Sequence, residues 1–443
     1  MSPVPLPFVR LRLRASCLLL AGLAGLSAHA QPQAARASAP TAPDIVLVLV
    51  DSLRADHLGC YGHDLDTSPT LDAFAKDAVR FDQAFASGPW TQPSIMSLFT
   101  SVPPDVHQRA HWAKPHATNV VTLAEALRQA GYQTVGLTSN PMTHRRFGFA
   151  RGFEFYDDYT VSLSPEASSR DAAVQTATGA AMTRLAQNWL RRLRDPNRPL
   201  FLFVLYMDPH WDYLPPAPFN TMFTDDPLPP PRNIWNLGAA RVPEAARRRT
   251  LAAYDGEIRY TDGCFSNLLA TIDASPRSRN SLVVFCADHG EAFWERGLAS
   301  HGNNLHDEEL HVPLVIRAPG GAPAAGRVVP DQVGLVDVAP TLLDFAGAAP
   351  PADWIGRSLR PLMEGAELPE APLVLDVRIG KEGIVRGVRT SKLKLIGGHP
   401  HDRPAEVYDL AADPGETNNL VKAGAPLPDA VAALVPLLKP REP

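Results

Sequence analysis

Four runs of aliphatic residues constrain the fold of this chain more than any other feature. Each run is six to eight residues long and lacks the polar–apolar alternation of a half-buried strand. The runs are Ile45 to Val50, Leu200 to Met207, Ser281 to Ala287 and Val312 to Arg317. Strands buried on both faces have this composition, and a parallel sheet covered by helices provides such burial. The pattern predicts an α/β fold with a large, mostly parallel sheet flanked by helices on both faces.

Helical segments alternate with these strands. Ser68 before a proline is typical of a helix start, and apolar residues follow at helical spacing from Leu71 to Val79. Thr122 to Glu125 forms a capping box ahead of another helix, and Gln133 to Thr138 is a further strand. A long amphipathic helix is predicted from Leu251 to Ile272.

The amino terminus has the pattern of an export signal. Three arginines between residues 10 and 14 precede the apolar run from Leu18 to Leu26, which ends at Ala28 to Ala30. This run is too short to span a bilayer. Residues 1–30 are therefore predicted to be a signal peptide and residues 31–43 a linker. Cleavage would release an exported protein, periplasmic or secreted, without a membrane anchor.

Charge and cysteine content exclude two classes of protein. The 42 basic and 47 acidic side chains give a formal net charge of −5, so nucleic acid is not an expected partner. Cys60, Cys264 and Cys286 remain after signal cleavage, an odd number at irregular spacing. They do not predict a disulfide framework.

Polar side chains follow four of the predicted strands at the point where each strand ends. They are Asp51, Asn140, Asp208 with His210, and Asp288 with His289. In an open α/β sheet the carboxyl ends of the strands share one edge, where ligands bind. Each residue alone has an alternative role as a turn former. Together they indicate a functional site.

The segment from Pro89 to Thr100 supplies a hydroxyl to this site. Pro93 suits the first turn of a helix, which places Thr91 beside unpaired backbone donors. The positive end of the helix dipole favours an alkoxide and a tetrahedral anion there. The alternative role for Thr91 is that of an ordinary N-cap.

The candidate ligands at the sheet edge suit one divalent cation. Asp51, Asp288 and His289 offer hard oxygen and imidazole donors for Ca²⁺, Mg²⁺, Mn²⁺ or Zn²⁺. Ser52 would either add a neutral oxygen ligand or bond to the backbone. A cation touching Thr91 would lower the pKa of its hydroxyl and polarise a phosphate or sulfate ester.

Further residues are candidates for handling the ester. His210 and His301 would steady its oxygens and protonate the leaving group, and Asn140 would donate a hydrogen bond to the same anion. Three other histidines occupy a loop without strand-end placement and are predicted to be ordinary surface residues: His107, His111 and His116.

Ordered blocks of residues along nearly the whole mature length match one known family. The blocks are Asp51 to Gly62, the Thr91 helix, Gly131 to Thr134, Tyr254 to Ile258, Ala287 to Glu291, Val336 to Leu343, Val388 to Leu395, and Glu406 to Leu410 with Asn418 to Leu420. In these blocks the chain resembles the sulfatase branch of the alkaline phosphatase superfamily. The resemblance implies a catalytic α/β domain, residues 44–366, and a smaller C-terminal α+β domain on a four-stranded antiparallel sheet, residues 367–443. It also implies one divalent metal at Asp51, Asp288 and His289.

Several positions depart from true sulfatases. Those enzymes carry cysteine or serine at the position of Thr91 and arginine at that of Ile95. Asn140 and His301 occupy the regions of their usual lysine pair, and His289 replaces an asparagine. No formylglycine is expected, because the β-carbon of threonine carries a methyl group and cannot become an aldehyde. The pattern resembles the phosphonate and phosphodiester hydrolases of the branch.

The leading hypothesis is therefore a metal-dependent hydrolase of phosphodiesters or phosphonate monoesters, with Thr91 as nucleophile. Its substrate would be a small-molecule, glycan or lipid ester. One alternative is a sulfuric ester hydrolase of the arylsulfatase type, and another is a transferase of phospho-headgroups. A third is a binding protein that has kept the fold and lost catalysis. Metal content and a panel of phosphorus and sulfur esters separate these alternatives.

Overall fold

The structure is a computed structural model that describes residues 42–108, 119–159, 178–226, 238, 241–320, 325–379, 383–397, 404–424 and 426–439. The predicted signal peptide, most of the predicted linker, His111 and His116 lie outside these residues. Within the described ranges, no helix combines the length and the apolar character needed to cross a bilayer.

The helices and strands of the described residues follow the predicted alternation. The strands are β1 (Asp44–Val50), β2 (Val79–Phe85), β3 (Gln133–Thr138), β4 (Phe155–Asp157), β5 (Leu200–Tyr206), β6 (Ser281–Ala287), β7 (Ala292–Phe293), β8 (Ala299–Ser300), β9 (His311–Arg317), β10 (Arg327–Gly334), β11 (Leu373–Ile379), β12 (Gly383–Arg389), β13 (Leu393–Gly397) and β14 (Pro404–Asp409). The helices are α1 (Pro69–Lys76), α2 (Thr91–Thr100), α3 (Pro104–His107), α4 (Leu123–Gln129), α5 (Gly179–Asn188), α6 (Glu244–Asp273), α7 (Asp307–Leu310), α8 (Val338–Ala346), α9 (Arg360–Glu364) and α10 (Ala430–Leu434).

The main sheet has eight strands in the order β10-β2-β9-β6-β1-β5-β3-β4. The run from β6 to β4 is parallel throughout, which confirms the predicted mostly parallel sheet. Strand β9 is the exception, because it runs antiparallel to both β6 and β2. The chain between β6 and β9 holds only the β7–β8 ribbon and the four-residue α7. It therefore lacks the long helical crossover that a parallel return requires.

Helices cover both faces of this sheet. Val48 of β1 is level with Val204 on one side and with Phe285 on the other, so Phe285 and Phe203 point to opposite faces. Phe285 packs on Phe265 of α6, with ring centroids 4.9 Å apart. Phe203 packs on a phenylalanine of α2, also at 4.9 Å. Helix α6 thus lies on one face and the Thr91 helix on the other.

Two predictions from local pattern are wrong. The helix that begins after Ser68 ends at Lys76, and Val79 starts β2 instead of continuing the helical face. Pairing with β9 and β10 on its two sides outweighs the helical spacing of these residues. His107 is fully buried, and its Nε2 lies 2.9 Å from the hydroxyl of Ser97. It is a core histidine rather than a surface residue.

A second, antiparallel sheet follows in the order β11-β12-β13-β14, as predicted for the C-terminal part. Arg386 of β12 lies buried against it, with its guanidinium 2.7 and 2.8 Å from the carboxylate of Asp376 on β11. The same guanidinium reaches Asp105 of α3 at 2.8 Å. The ion pair between Arg386 and Asp105 connects the smaller sheet to α3.

Candidate active site

The order of strands in the main sheet explains why distant residues meet. Strands β6, β1, β5 and β3 are consecutive neighbours and all point the same way. Their carboxyl ends are followed by Asp288, Asp51, His210 and Asn140, respectively. Short strand-to-loop transitions leave these side chains at one edge of the sheet, as expected for an open α/β fold.

Asp51, Asp288 and His289 form a compact, fully buried group. One ligand atom from each lies within 4.8 Å of those of the other two. Nε2 of His289 lies 3.5 Å from Oδ1 of Asp51 and 3.5 Å from Oδ2 of Asp288. Nδ1 of His289 donates to the carbonyl of Gly290 at 2.8 Å, which leaves the Nε2 lone pair facing the carboxylates.

The electrostatics of this group fit a divalent cation. Oδ2 of Asp288 and Nε2 of His289 are buried without a hydrogen-bond partner among the described residues. Burial and the neighbouring Asp51 charge raise the pKa of Asp288 well above its usual value. Burial, followed by the charge of His301, lowers the pKa of His289 to about 3. Burying polar atoms that have no partner costs free energy of folding, and a cation bound between these two atoms would remove that cost.

Ser52 lies at the rim of the group. Its amide donates to Oδ1 of Asp288 at 3.2 Å, and its hydroxyl donates to Oδ1 of Asp51 at 2.9 Å. The hydroxyl therefore serves a candidate ligand rather than the backbone. Tyr254 of α6 holds this turn, because its hydroxyl donates to the carbonyl of Ser52 at 2.7 Å and accepts from the amide of Arg54 at 2.9 Å.

Thr91 is the first residue of α2 and is almost completely buried. The N-cap position belongs to Trp90, so Thr91 does not serve as the cap of this helix. The side-chain amide of Asn140 donates to Oγ1 of Thr91 at 3.4 Å and also to Oδ2 of Asp51. One amide group thus links the threonine hydroxyl to a candidate metal ligand. Three residues further along α2, the hydroxyl of Ser94 donates a hydrogen bond to the backbone carbonyl of Asp288.

The two predicted histidines lie beside this centre. The ring of His301 is 4.4 Å from that of His289 and 5.2 Å from that of His210, measured between centroids. Burial opposes the charged form of His301, but Glu291, 3.1 Å from its Nδ1, raises the pKa of His301 to about 9. His210 is oriented by the carbonyl of Trp211, 2.8 Å from its Nδ1. The Glu291 carboxylate therefore favours the charged form of His301.

All three histidines act electrostatically on Asp51. Burial alone would raise the pKa of Asp51, but His210, His289 and His301, together with Asn140, hold it below its usual value. The structure therefore brings together the eight predicted residues Asp51, Ser52, Thr91, Asn140, His210, Asp288, His289 and His301.

One predicted strand-end residue points elsewhere. Oδ2 of Asp208 accepts hydrogen bonds from the amides of Thr178 and Gly179 at 3.1 and 2.9 Å and from the Thr178 hydroxyl at 3.0 Å. Asp208 therefore caps the start of α5 and does not face the site. Sequence reasoning also missed Glu291, whose position two residues after His289 was the available signal.

Comparison with known proteins decides the family. Residues 43–348 match the sulfatase family, which is more than half of the chain. The chain belongs to the sulfatase family. Residues 302–428 of this sulfatase-family protein also match the C-terminal region of N-sulphoglucosamine sulphohydrolase.

Individual proteins are similar to this chain in sequence or in fold. An arylsulfatase of Clostridium perfringens is 26% identical, with 86% of this chain and 90% of that protein covered. The phosphonate monoester hydrolase of Agrobacterium radiobacter superimposes with a TM-score of 0.72 at 24% identity, over 89% of this chain and 93% of that one. A structure in complex with D-glucosamine-2-N,6-O-disulfate gives 0.73 at 21% identity, with 90% and 97% covered. The protein is a sulfatase-like hydrolase acting on ester bonds.

Proposed function

We propose that this sulfatase-family protein hydrolyses phosphate-type esters, either phosphodiesters or phosphonate monoesters, through Thr91 as nucleophile. The observation that carries the proposal is the shared hydrogen bonding of Asn140 with Thr91 and Asp51. Through these two hydrogen bonds, Asn140 links the buried hydroxyl of Thr91, at the start of α2, to the carboxylate of Asp51. The candidate nucleophile therefore lies beside the candidate metal ligands that would stabilise an anionic ester.

Asp51, Asp288 and His289 are the residues that would hold a divalent cation, with Ser52 at the rim. When bound, this ion supplies Lewis-acid activation of the hydroxyl and charge stabilisation for the ester oxygens. Zinc, calcium, magnesium and manganese all accept such ligands. The protein's own contribution is to fix the two carboxylates and the imidazole tautomer through Ser52 and Gly290.

The proposed reaction has two displacements at phosphorus. In the first, Oγ1 of Thr91 bonds to phosphorus and releases its proton to solvent, while the bond from phosphorus to the leaving oxygen breaks and that oxygen gains a proton. His301, held cationic by Glu291, or His210 beside it donates the proton. In the second, a water oxygen bonds to phosphorus, the bond from phosphorus to Oγ1 of Thr91 breaks, the histidine takes a proton from that water, and Oγ1 regains a proton from solvent.

Threonine is the reason for preferring phosphorus to sulfur. A sulfatase aldehyde hydrate expels sulfate by elimination, whereas Thr91 has a methyl group on its β-carbon and forms no such aldehyde. An ester on Thr91 is released only when a nucleophile attacks phosphorus or sulfur directly. Sulfuric ester hydrolysis is the second candidate, because the matching Clostridium perfringens relative is an arylsulfatase.

The test is an ester panel on the mature protein with its metal content measured. Nitrophenyl phosphate, a bis-nitrophenyl phosphodiester, a nitrophenyl phenylphosphonate and nitrophenyl sulfate are compared at equal concentration. We expect the diester or the phosphonate to be cleaved fastest, and acid quenching to trap the nitrophenyl-phosphoryl or the phenylphosphonyl group on Thr91 for mass spectrometry. An aryl sulfate cleaved faster than every phosphorus ester would support the second candidate. Transfer of the phosphoryl group to an added alcohol in preference to water would instead indicate a transferase.

A further inference from the structure

A second cluster of potential metal ligands lies outside the site described above. It consists of His57, His63 and Asp255, whose ligand atoms all lie within 4.8 Å of one another. His57 ends a short 3-10 turn, Ala55–His57, in the segment that follows β1, and His63 comes six residues later. Asp255 projects from α6, so two distant parts of the chain contribute to the cluster.

The cluster is compact and largely shielded from solvent. Nδ1 of His57 lies 2.7 Å from Oδ1 of Asp255, and Nε2 of His63 lies 3.8 Å from the same oxygen. The two imidazole rings are 4.9 Å apart between centroids. The side chains are 12%, 19% and 6% exposed for His57, His63 and Asp255, respectively. Tyr254 packs edge-on against His57 at 5.0 Å and limits its rotation.

One atom of the cluster is left without a partner. Nε2 of His63 is buried and has no hydrogen-bond partner among the described residues, although the Asp255 carboxylate is close by. A hydrogen-bonded pair of His57 and Asp255 would account for two members of the group but not for the third. An ion between this imidazole nitrogen and the Asp255 carboxylate would give the nitrogen a partner.

We propose that His57, His63 and Asp255 form a second metal site, which takes Zn²⁺. Two imidazole nitrogens and one carboxylate oxygen are a typical zinc ligand set, with water in the fourth position. Tetrahedral zinc places its ligand atoms about 3.4 Å apart. The observed separations of 2.7 and 3.8 Å lie on either side of this value. Zinc would take the place of the proton on Nδ1 of His57, and the neutral ring would carry its proton on Nε2 instead.

The position of the site suggests what zinc does there. Asp255 is the neighbour of Tyr254, whose hydroxyl holds the backbone of Ser52 and Arg54. Zinc at this point would cross-link the segment after β1 to α6, and so brace the turn that carries Asp51. The inference does not depend on which ester the protein hydrolyses.

The test is the zinc content of variant proteins, measured by mass spectrometry of the metal after equilibration with Zn²⁺ and removal of excess. The His63→Ala protein should bind one zinc ion fewer per chain than the wild type. Asp255→Asn should also lose this ion, although its amide oxygen can still accept the hydrogen bond from His57. His144→Ala is the matched control, because Nε2 of His144 lies 3.5 Å from the carboxylate of Asp158 without a second histidine in its ion pair.

Thermal unfolding gives a second readout that separates this site from the catalytic one. In the Asp288→Asn protein, added Zn²⁺ should still raise the unfolding temperature, and the added His63→Ala change should remove this rise. Equal zinc content in wild-type and His63→Ala proteins would overturn the proposal. So would an unfolding temperature of the Asp288→Asn protein that does not respond to Zn²⁺. If the His63→Ala protein does not fold, the zinc content of Asp255→Asn and the Zn²⁺ titration of the Asp288→Asn protein test the proposal.

Discussion

Replacing Thr91 by alanine tests the nucleophile directly. The change removes one hydroxyl and one methyl group from the first residue of α2, and leaves Asp51, Asp288 and His289 in place. If Thr91 forms the covalent intermediate, turnover of the best phosphorus ester should fall at least about 1000-fold, or about 4 kcal/mol of barrier. Bound metal at the active site should be unchanged.

The structure predicts that this loss is not a loss of folding. The hydrogen bond from Asn140 to Thr91 is long, at 3.4 Å, so its removal costs no more than about 1 kcal/mol. The lost methyl group adds about 1 kcal/mol. Their sum is small beside the roughly 5–15 kcal/mol that stabilises a typical protein. Thr91→Ala should therefore unfold in urea at a slightly lower midpoint, with an unchanged slope.

The matched control is Thr91→Ser, which keeps the hydroxyl and removes only the methyl group. It should retain activity within about tenfold of the wild type, because the attacking oxygen remains. Initial rates of nitrophenolate release, urea unfolding and metal content are measured on the three proteins side by side. The assignment is refuted if Thr91→Ala keeps a tenth or more of wild-type turnover, or if Thr91→Ser is as inactive as Thr91→Ala.

Three further predictions concern stability. Asp208→Ala should lower the free energy of unfolding by about 2 kcal/mol, measured in urea, since the start of α5 loses its cap; an unchanged midpoint would contradict this. Arg386→Met should cost about 3 kcal/mol or more because it strands the buried carboxylate of Asp376, and a melting temperature equal to wild type would argue against that ion pair. Burial would raise the pKa of Asp307, but Lys394, 2.5 Å away, holds it below the usual value. Its contribution to stability is therefore present above the unfolded pKa of 3.8 and lost as pH falls through the folded pKa. The stability gap between wild type and Asp307→Asn should narrow in urea titrations as pH falls below about 4.

Much of the fold was readable from local pattern. The bounds of β3 and β6 agree with the predicted Gln133 to Thr138 and Ser281 to Ala287, and the capping box at Thr122 is present. These features depend on neighbours a few residues away, so the linear sequence contains the information they require. The grouping of Asp51 with Asp288 was also predictable, because parallel strands must end at a common edge.

Other features depended on contacts between distant segments. Val79 has the spacing of a helix but forms a strand because β9 and β10 flank it. Asp208 lies two residues beyond the end of β5, but its carboxylate accepts hydrogen bonds from the amide groups at the start of α5 and does not face the site. Glu291 became relevant only once its carboxylate was seen 3.1 Å from His301.

By itself, then, the sequence determined where several strands and helices lie, most of the residues that meet at the site, and the sheet edge at which they collect. Only the tertiary structure decided the direction of β9, the partner of each polar side chain and the meeting of His57 with Asp255, 198 residues further along the chain. Hydrophobic periodicity is a local property of the chain. Strand register and the orientation of a carboxylate depend instead on distant segments, because packing decides which hydrogen-bond donors come within reach.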